Sequence, residues 1–138
     1  MNAPTPELSP IVKAVSQAKI NEYAEASGDY NLIHIDEAFA AVSPLGGTIA
    51  HGMLVLAYLA EMITAAYGER WLAGGRLQAR FRAPTRPGDT VSTSGRLLRT
   101  VEENGVPVAE YGLECRNQKG EVLVSGTASV PLAPEAVS

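Results

Sequence analysis

The run Met53-Leu54-Val55-Leu56-Ala57-Tyr58-Leu59-Ala60, continued through Glu61, Met62, Ile63, Ala65 and Ala66 to Gly68, decides the fold. It is apolar nearly all round, which fits either a membrane span or a helix that protein buries on every side. The run falls short of the ~20 apolar residues a span requires, carries Glu61 near its middle and has no basic flank to set an orientation. It is therefore read as a buried helix, and the rest of the chain must supply what buries it.

That cover comes from downstream. From Gly75 the pattern changes to a period of two, with Leu77, Ala79, Phe81 and Ala83 on one side and Arg76, Gln78, Arg80 and Arg82 on the other. Pro84, Pro87 and Gly88-Asp89 break this strand. Three more follow at about 90–101, 106–116 and 121–131, separated by the turn sequences Glu102-Glu103-Asn104-Gly105 and Asn117-Gln118-Lys119-Gly120. A long helix followed by a four-stranded antiparallel meander predicts an α+β domain whose curved sheet wraps the helix.

Upstream, residues 1–10 hold Pro4, Pro6 and Pro10 and read as a mobile arm. Residues 11–16 can form a short strand, and Ser16 is a plausible N-cap for a helix ending at Gly28. A polar, irregular stretch follows, with a short helix near 36–42 capped by Asp36. A single domain over 11–132 is expected, with a flexible tail at 133–138.

Composition narrows the function. The 138 residues are 46% hydrophobic and 19% charged, as in an ordinary globular chain. The net charge of -4 disfavours a nucleic-acid partner. A single cysteine, Cys115, cannot pair internally and is expected to be inert, and no Cys/His spacing suggests a metal site. The opening residues lack the charged start and apolar middle of a secretory signal, so a cytoplasmic protein with no membrane partner is expected.

Chemistry concentrates in Ser27-Gly28-Asp29-Tyr30-Asn31-Leu32-Ile33-His34-Ile35-Asp36, which brings a carboxylate, an amide and an imidazole within six positions on an irregular turn. Asp29 and His34, aimed at one point, can hold a water between them and accept its proton. The second half is Ile49-Ala50-His51-Gly52-Met53, where the buried helix begins and its first N–H groups lack intrahelical partners. Gly52 there lets a ligand approach the backbone, so its N–H can receive an oxygen that gains negative charge.

Together these two segments, extended to Leu54, resemble the MaoC-like, R-specific enoyl-CoA hydratase family, over about Ile11 to Leu132. The resemblance implies a hot-dog fold, a homodimer or higher homo-oligomer with a site near the subunit interface, and reversible addition of water to a trans-2-enoyl thioester giving the R-3-hydroxyacyl product. By position, Asp29 and His34 match the catalytic pair, Asn31 the asparagine that orders the site, and Gly52 the amide that receives the thioester oxygen. No cofactor or metal is expected beyond the coenzyme A or acyl carrier protein borne by the substrate. Two positions depart from the family: Leu32 stands where proline is usual, and Ala60 where some members have serine.

Other assignments carry ordinary alternatives. His51 is grouped with the oxyanion and substrate-binding end of the helix, although a role confined to satisfying nearby backbone is favoured. Arg76, Arg80, Arg82 and Arg86 can contact coenzyme A phosphates or simply form a solvated strand face. Tyr58, Met62 and Tyr67 can line an acyl tunnel or be plain core. A hot-dog acyl-thioesterase and a non-catalytic partner subunit of a heterodimeric dehydratase are the competing functions.

Overall fold

The computed structural model describes residues 3–132; the tail expected at 133–138 lies outside the described residues. In chain order the elements are β1 (Glu7–Leu8), β2 (Val12–Ala14), α1 (Gln17–Ser27), α2 (Leu32–Ile35), α3 (Glu37–Ala41), α4 (Gly52–Tyr67), α5 (Glu69–Gly74), β3 (Arg76–Phe81), β4 (Thr90–Glu103), β5 (Val106–Arg116) and β6 (Val122–Pro131).

Local signals set most boundaries. Ser16 caps α1 by accepting from Lys19 N, and Gly28 ends it in the left-handed conformation at φ 76°. Asp36 caps α3 by accepting from Phe39 N. The β4–β5 hairpin turns on Asn104 and Gly105, at φ 51° and 79°, the pair of positive values that a tight two-residue hairpin requires.

One antiparallel sheet runs in the order β1-β4-β5-β6-β3, with β2 also paired to β4. The expected meander is thereby corrected: β3 does not pair with its sequence neighbour β4 but crosses to the far side and pairs with β6, from Arg76 opposite Ser129 to Phe81 opposite Val124. Hydrophobic alternation identifies strands but leaves their order open, so the pattern alone could not show this crossing.

Helix α4 lies in the concave side of the sheet. Its buried face is Leu54, Val55, Tyr58, Leu59, Met62 and Ile63, packed in one cluster with Val91, Tyr111, Leu113, Cys115, Leu123 and Val130. The opposite face, including Met53, Ala57 and Glu61, is exposed, so within one chain the helix is not covered all round. Small alanines on that side had masked the amphipathic pattern.

The arm is also better fixed than its prolines suggest. Leu97 N donates to Pro6 O at 2.8 Å, β1 pairs with Arg96 and Gly95, and Leu8 is buried. Tyr111 donates its hydroxyl to Thr5 O at 2.7 Å, so the Tyr67 hydroxyl must donate to Tyr111, and Thr5 N donates back to Tyr67. Tyr67 therefore ties down the arm, while Met62 is core and accepts from Thr93 Oγ1.

Candidate active site

Asp29 sits in the loop after α1, where tight side-chain turns dictate its place. Ser27 Oγ accepts from Asp29 N, Asp29 Oδ1 accepts from Asn31 N, and Asn31 Oδ1 accepts from Ile33 N. This chain of short polar side chains converts the loop into the N-terminus of α2. Asn31 thus orders the backbone: its oxygen caps α2. The single turn of α2 then carries His34 inward.

His34 is buried and oriented from several sides. Its Nδ1 donates to Ile49 O at 2.8 Å, because a carbonyl can only accept, and this fixes the tautomer with a bare Nε2. Nε2 faces Asp29 Oδ2 at 3.9 Å. That separation is too long for a direct hydrogen bond and suits a bridging water that donates to both acceptors. Gln17 Nε2 donates to His34 O at 2.7 Å, while Thr48 Oγ1 donates to Gln17 Oε1 at 2.7 Å, so α1 and the loop before α4 brace the imidazole from behind. Neither Gln17 nor Thr48 is singled out by spacing, since their partners lie 17 and 31 positions away.

His51 is the N-cap residue of α4 and only 2% exposed, which corrects its grouping with substrate-binding residues. Its Nε2 donates to the backbone oxygen of Asp29 at 2.9 Å, and its ring stacks on His34 with centroids 3.9 Å apart. Nδ1 is buried without a partner. His51 therefore stands behind the pair and clamps one member to the other.

The ligating atoms of Asp29, His34 and His51 all fall within 4.8 Å of one another. Because His51 holds Asp29 O through its N–H, it offers no free lone pair at that nitrogen. The imidazole lone pairs left open in the trio are those of His34 Nε2, which faces Asp29, and of the buried His51 Nδ1.

The first N–H groups of α4 face the same place. No side chain caps this helix start, Gly52 is exposed, and Ala50 N donates to Thr85 O at 2.7 Å to hold the approach. A cavity of about 350 Å³ joins His34 to Gly52 and is walled by Ile49, Val55, Phe81, Pro84 and Val124. Phe81 lies over the glycine: a Cβ at position 52 would come within 2.9 Å of its ring. Phe81 remains 55% exposed at the mouth, although the alternating pattern had placed it inward. Tyr58 is core, one turn beyond Val55, with its hydroxyl buried and unpartnered; burial and then the charge of Glu61 push its phenol up.

The arginines separate into two groups. Arg86 Nη1 donates to Gly47 O at 3.2 Å, a contact that holds the loop before α4. Arg80 and Arg82 lie beside a larger groove of about 960 Å³ formed with the outer face of the sheet, and Arg82 also borders the His34 cavity. Arg76 is exposed near the start of β3.

Comparisons with known proteins agree with this arrangement. Residues 4–110 match the family model described as MaoC like domain. A 3-hydroxybutyryl-CoA dehydratase from Methylorubrum extorquens is 35% identical over 123 residues, covering 86% of this chain and 73% of that protein. An (R)-specific enoyl-CoA hydratase from Rhodospirillum rubrum is 31% identical over 124 residues, covering 87% and 81%. The solved structure of an (R)-hydratase from A. caviae superposes with a TM-score of 0.75 at 26% identity, over 92% of this chain and 94% of that one. The sheet curved about α4 is the hot-dog fold, and the chain belongs to the MaoC-like domain family.

Proposed function

We propose that this protein is a hydro-lyase that adds water to, or removes it from, the 2,3 bond of an acyl-CoA thioester, with Asp29 and His34 as its catalytic residues. The observation that carries this reading is the bare Nε2 of His34 facing Asp29 Oδ2 at 3.9 Å, beside the free helix end at Gly52. In the hydration direction a water donates to both acceptors. Its oxygen forms the bond to C3, one of its protons passes to the pair, and the pair returns a proton to C2. Water and substrate balance this reaction, so it calls for no separate cofactor. As C2 and the carbonyl share the developing negative charge, Gly52 N–H stabilises the thioester oxygen.

Phe81 is exposed at the cavity mouth, Met53 is exposed on the uncovered face of α4 and β3 is an open sheet edge, which supports a homodimer that covers this side. Among the described residues no helix is long and apolar enough to cross a membrane. The test is incubation of purified protein with trans-2-enoyl-CoA substrates of graded chain length, following loss of enoyl absorbance, product handedness and thiol release together. R-3-hydroxyacyl-CoA without free thiol is expected. Thiol release without hydration would establish a thioesterase, and no turnover by the isolated chain would favour a partner subunit.

A further inference from the structure

The fold gathers both histidines of the chain, together with Asp29, at one point. The two imidazoles are held in the same manner. His34 gives its Nδ1 proton to Ile49 O and keeps a lone pair at Nε2, while His51 gives its Nε2 proton to Asp29 O and keeps a lone pair at Nδ1. An imidazole that donates one N–H to a backbone carbonyl has a fixed tautomer and a more basic second nitrogen, which is the support that metal-ligating histidines receive. His51 Nδ1 is buried with no hydrogen-bond partner, and His34 Nε2 faces the Asp29 carboxylate. A buried lone pair with nothing to accept carries a desolvation cost that a bound cation removes.

Distances suit a small ion. His34 Nε2 and Asp29 Oδ2 are 3.9 Å apart, and one ligating atom from each of the three residues lies within 4.8 Å of the others. Zinc binds nitrogen and carboxylate oxygen at about 2.0–2.2 Å, so a tetrahedral site holds two such atoms about 3.4 Å apart. Closing the trio onto one ion takes about 0.5 Å between Asp29 and His34, and no more than about 1.4 Å on any side. Asp29 can supply the movement: its side chain is 53% exposed in the loop after α1, whereas His34 is fixed through Ile49 and Gln17. Two nitrogens and a carboxylate favour zinc over magnesium or calcium, which take sets of oxygens.

From this we infer that Asp29, His34 and His51 bind a zinc-like divalent cation, and that this ion inhibits the enzyme. The inference rests on the reading of Asp29 and His34 as the catalytic pair and adds a control on that pair. Once bound, the ion occupies the His34 Nε2 lone pair and the Asp29 carboxylate. Neither group can then take a proton from the attacking water or return one to C2. A water on the metal would not restore turnover, because C2 would still lack its proton donor.

Calorimetric titration of the full chain with zinc chloride tests this directly, since both histidines belong to the trio and Cys115 is buried. One zinc per chain should bind, with affinity at least tenfold lower in each of Asp29→Asn, His34→Ala and His51→Met. Cobalt(II) should give the visible absorption of a tetrahedral site, and magnesium should give no binding heat. Zinc should abolish crotonyl-CoA hydration, and excess EDTA should restore it. Absence of zinc binding, unchanged affinity in any of the three variants that remains folded, or full hydration activity at saturating zinc overturns the inference. Zinc binding that needs all three residues, in a chain that hydrates no enoyl-CoA when metal-free, would keep the ion's site and defeat the hydro-lyase reading.

Discussion

Replacing His51 by methionine separates positioning from stability. The change removes the donor to Asp29 O and the ring stacked on His34, while keeping a side chain of similar bulk. The lost hydrogen bond costs about 0.5–1.5 kcal/mol, but Asp29 lies where water can reach its freed oxygen. Removing the unpartnered Nδ1 relieves a desolvation penalty of about 1–3 kcal/mol. Stability should therefore hold or rise slightly. Turnover should fall, because Asp29 loses the clamp that sets its distance to His34, and misplacement of a reacting group by about 1 Å costs roughly a hundredfold. His51→Gln places an amide N–H near the lost donor and should recover most of the activity. Urea unfolding and steady-state hydration of crotonyl-CoA read the two effects separately. A His51→Met variant that is fully active, or one that loses activity only in proportion to lost folding, refutes the positioning role.

Other variants probe the remaining parts. Gly52→Ala drives a methyl into the Phe81 ring at 2.9 Å, and displacing the ring over the α4 amide should lower kcat by about one to two orders of magnitude with little change in melting temperature. Leu32→Pro should stabilise the protein by about 0.4–1 kcal/mol in denaturant titration, since Leu32 is the first residue of α2 and Asn31 already holds ψ 130°, as a residue before proline must. Burial pushes the Cys115 thiol up to about 12, so it should resist thiol reagents in the folded protein at pH 8. The unfolded chain gives up that proton near 8.5 and the folded chain keeps it, so Cys115 should make stability decline as pH rises from there toward 12, a slope that Cys115→Ala removes in pH-dependent unfolding.

Strands β2 to β6 and helices α1, α3 and α4 were legible because periodicity and caps are local: Ser16, Gly28, Asp36 and Asn104-Gly105 act on residues within a few positions. The β3 to β6 pairing was not, because β3 and β4 could adjoin with the same alternation. The arm was misjudged because its anchors, Tyr67 and Tyr111, lie 62 and 106 positions from Thr5. In the site, Asp29, His34 and Gly52 fall together as their two motifs suggest. The tautomer of His34, the burial of His51 and the bracing by Gln17 and Thr48 depend on contacts between distant segments. Likewise, the hydrogen bond from Arg86 to Gly47 O joins segments 39 positions apart.

The most direct measurement is the rate of crotonyl-CoA hydration by Asp29→Asn, His34→Ala and the double variant, each shown to be folded. Two groups acting on one water predict that either single change lowers kcat by two or more orders of magnitude, and that the double change lowers it little further. Near-normal turnover in either single variant would contradict the account.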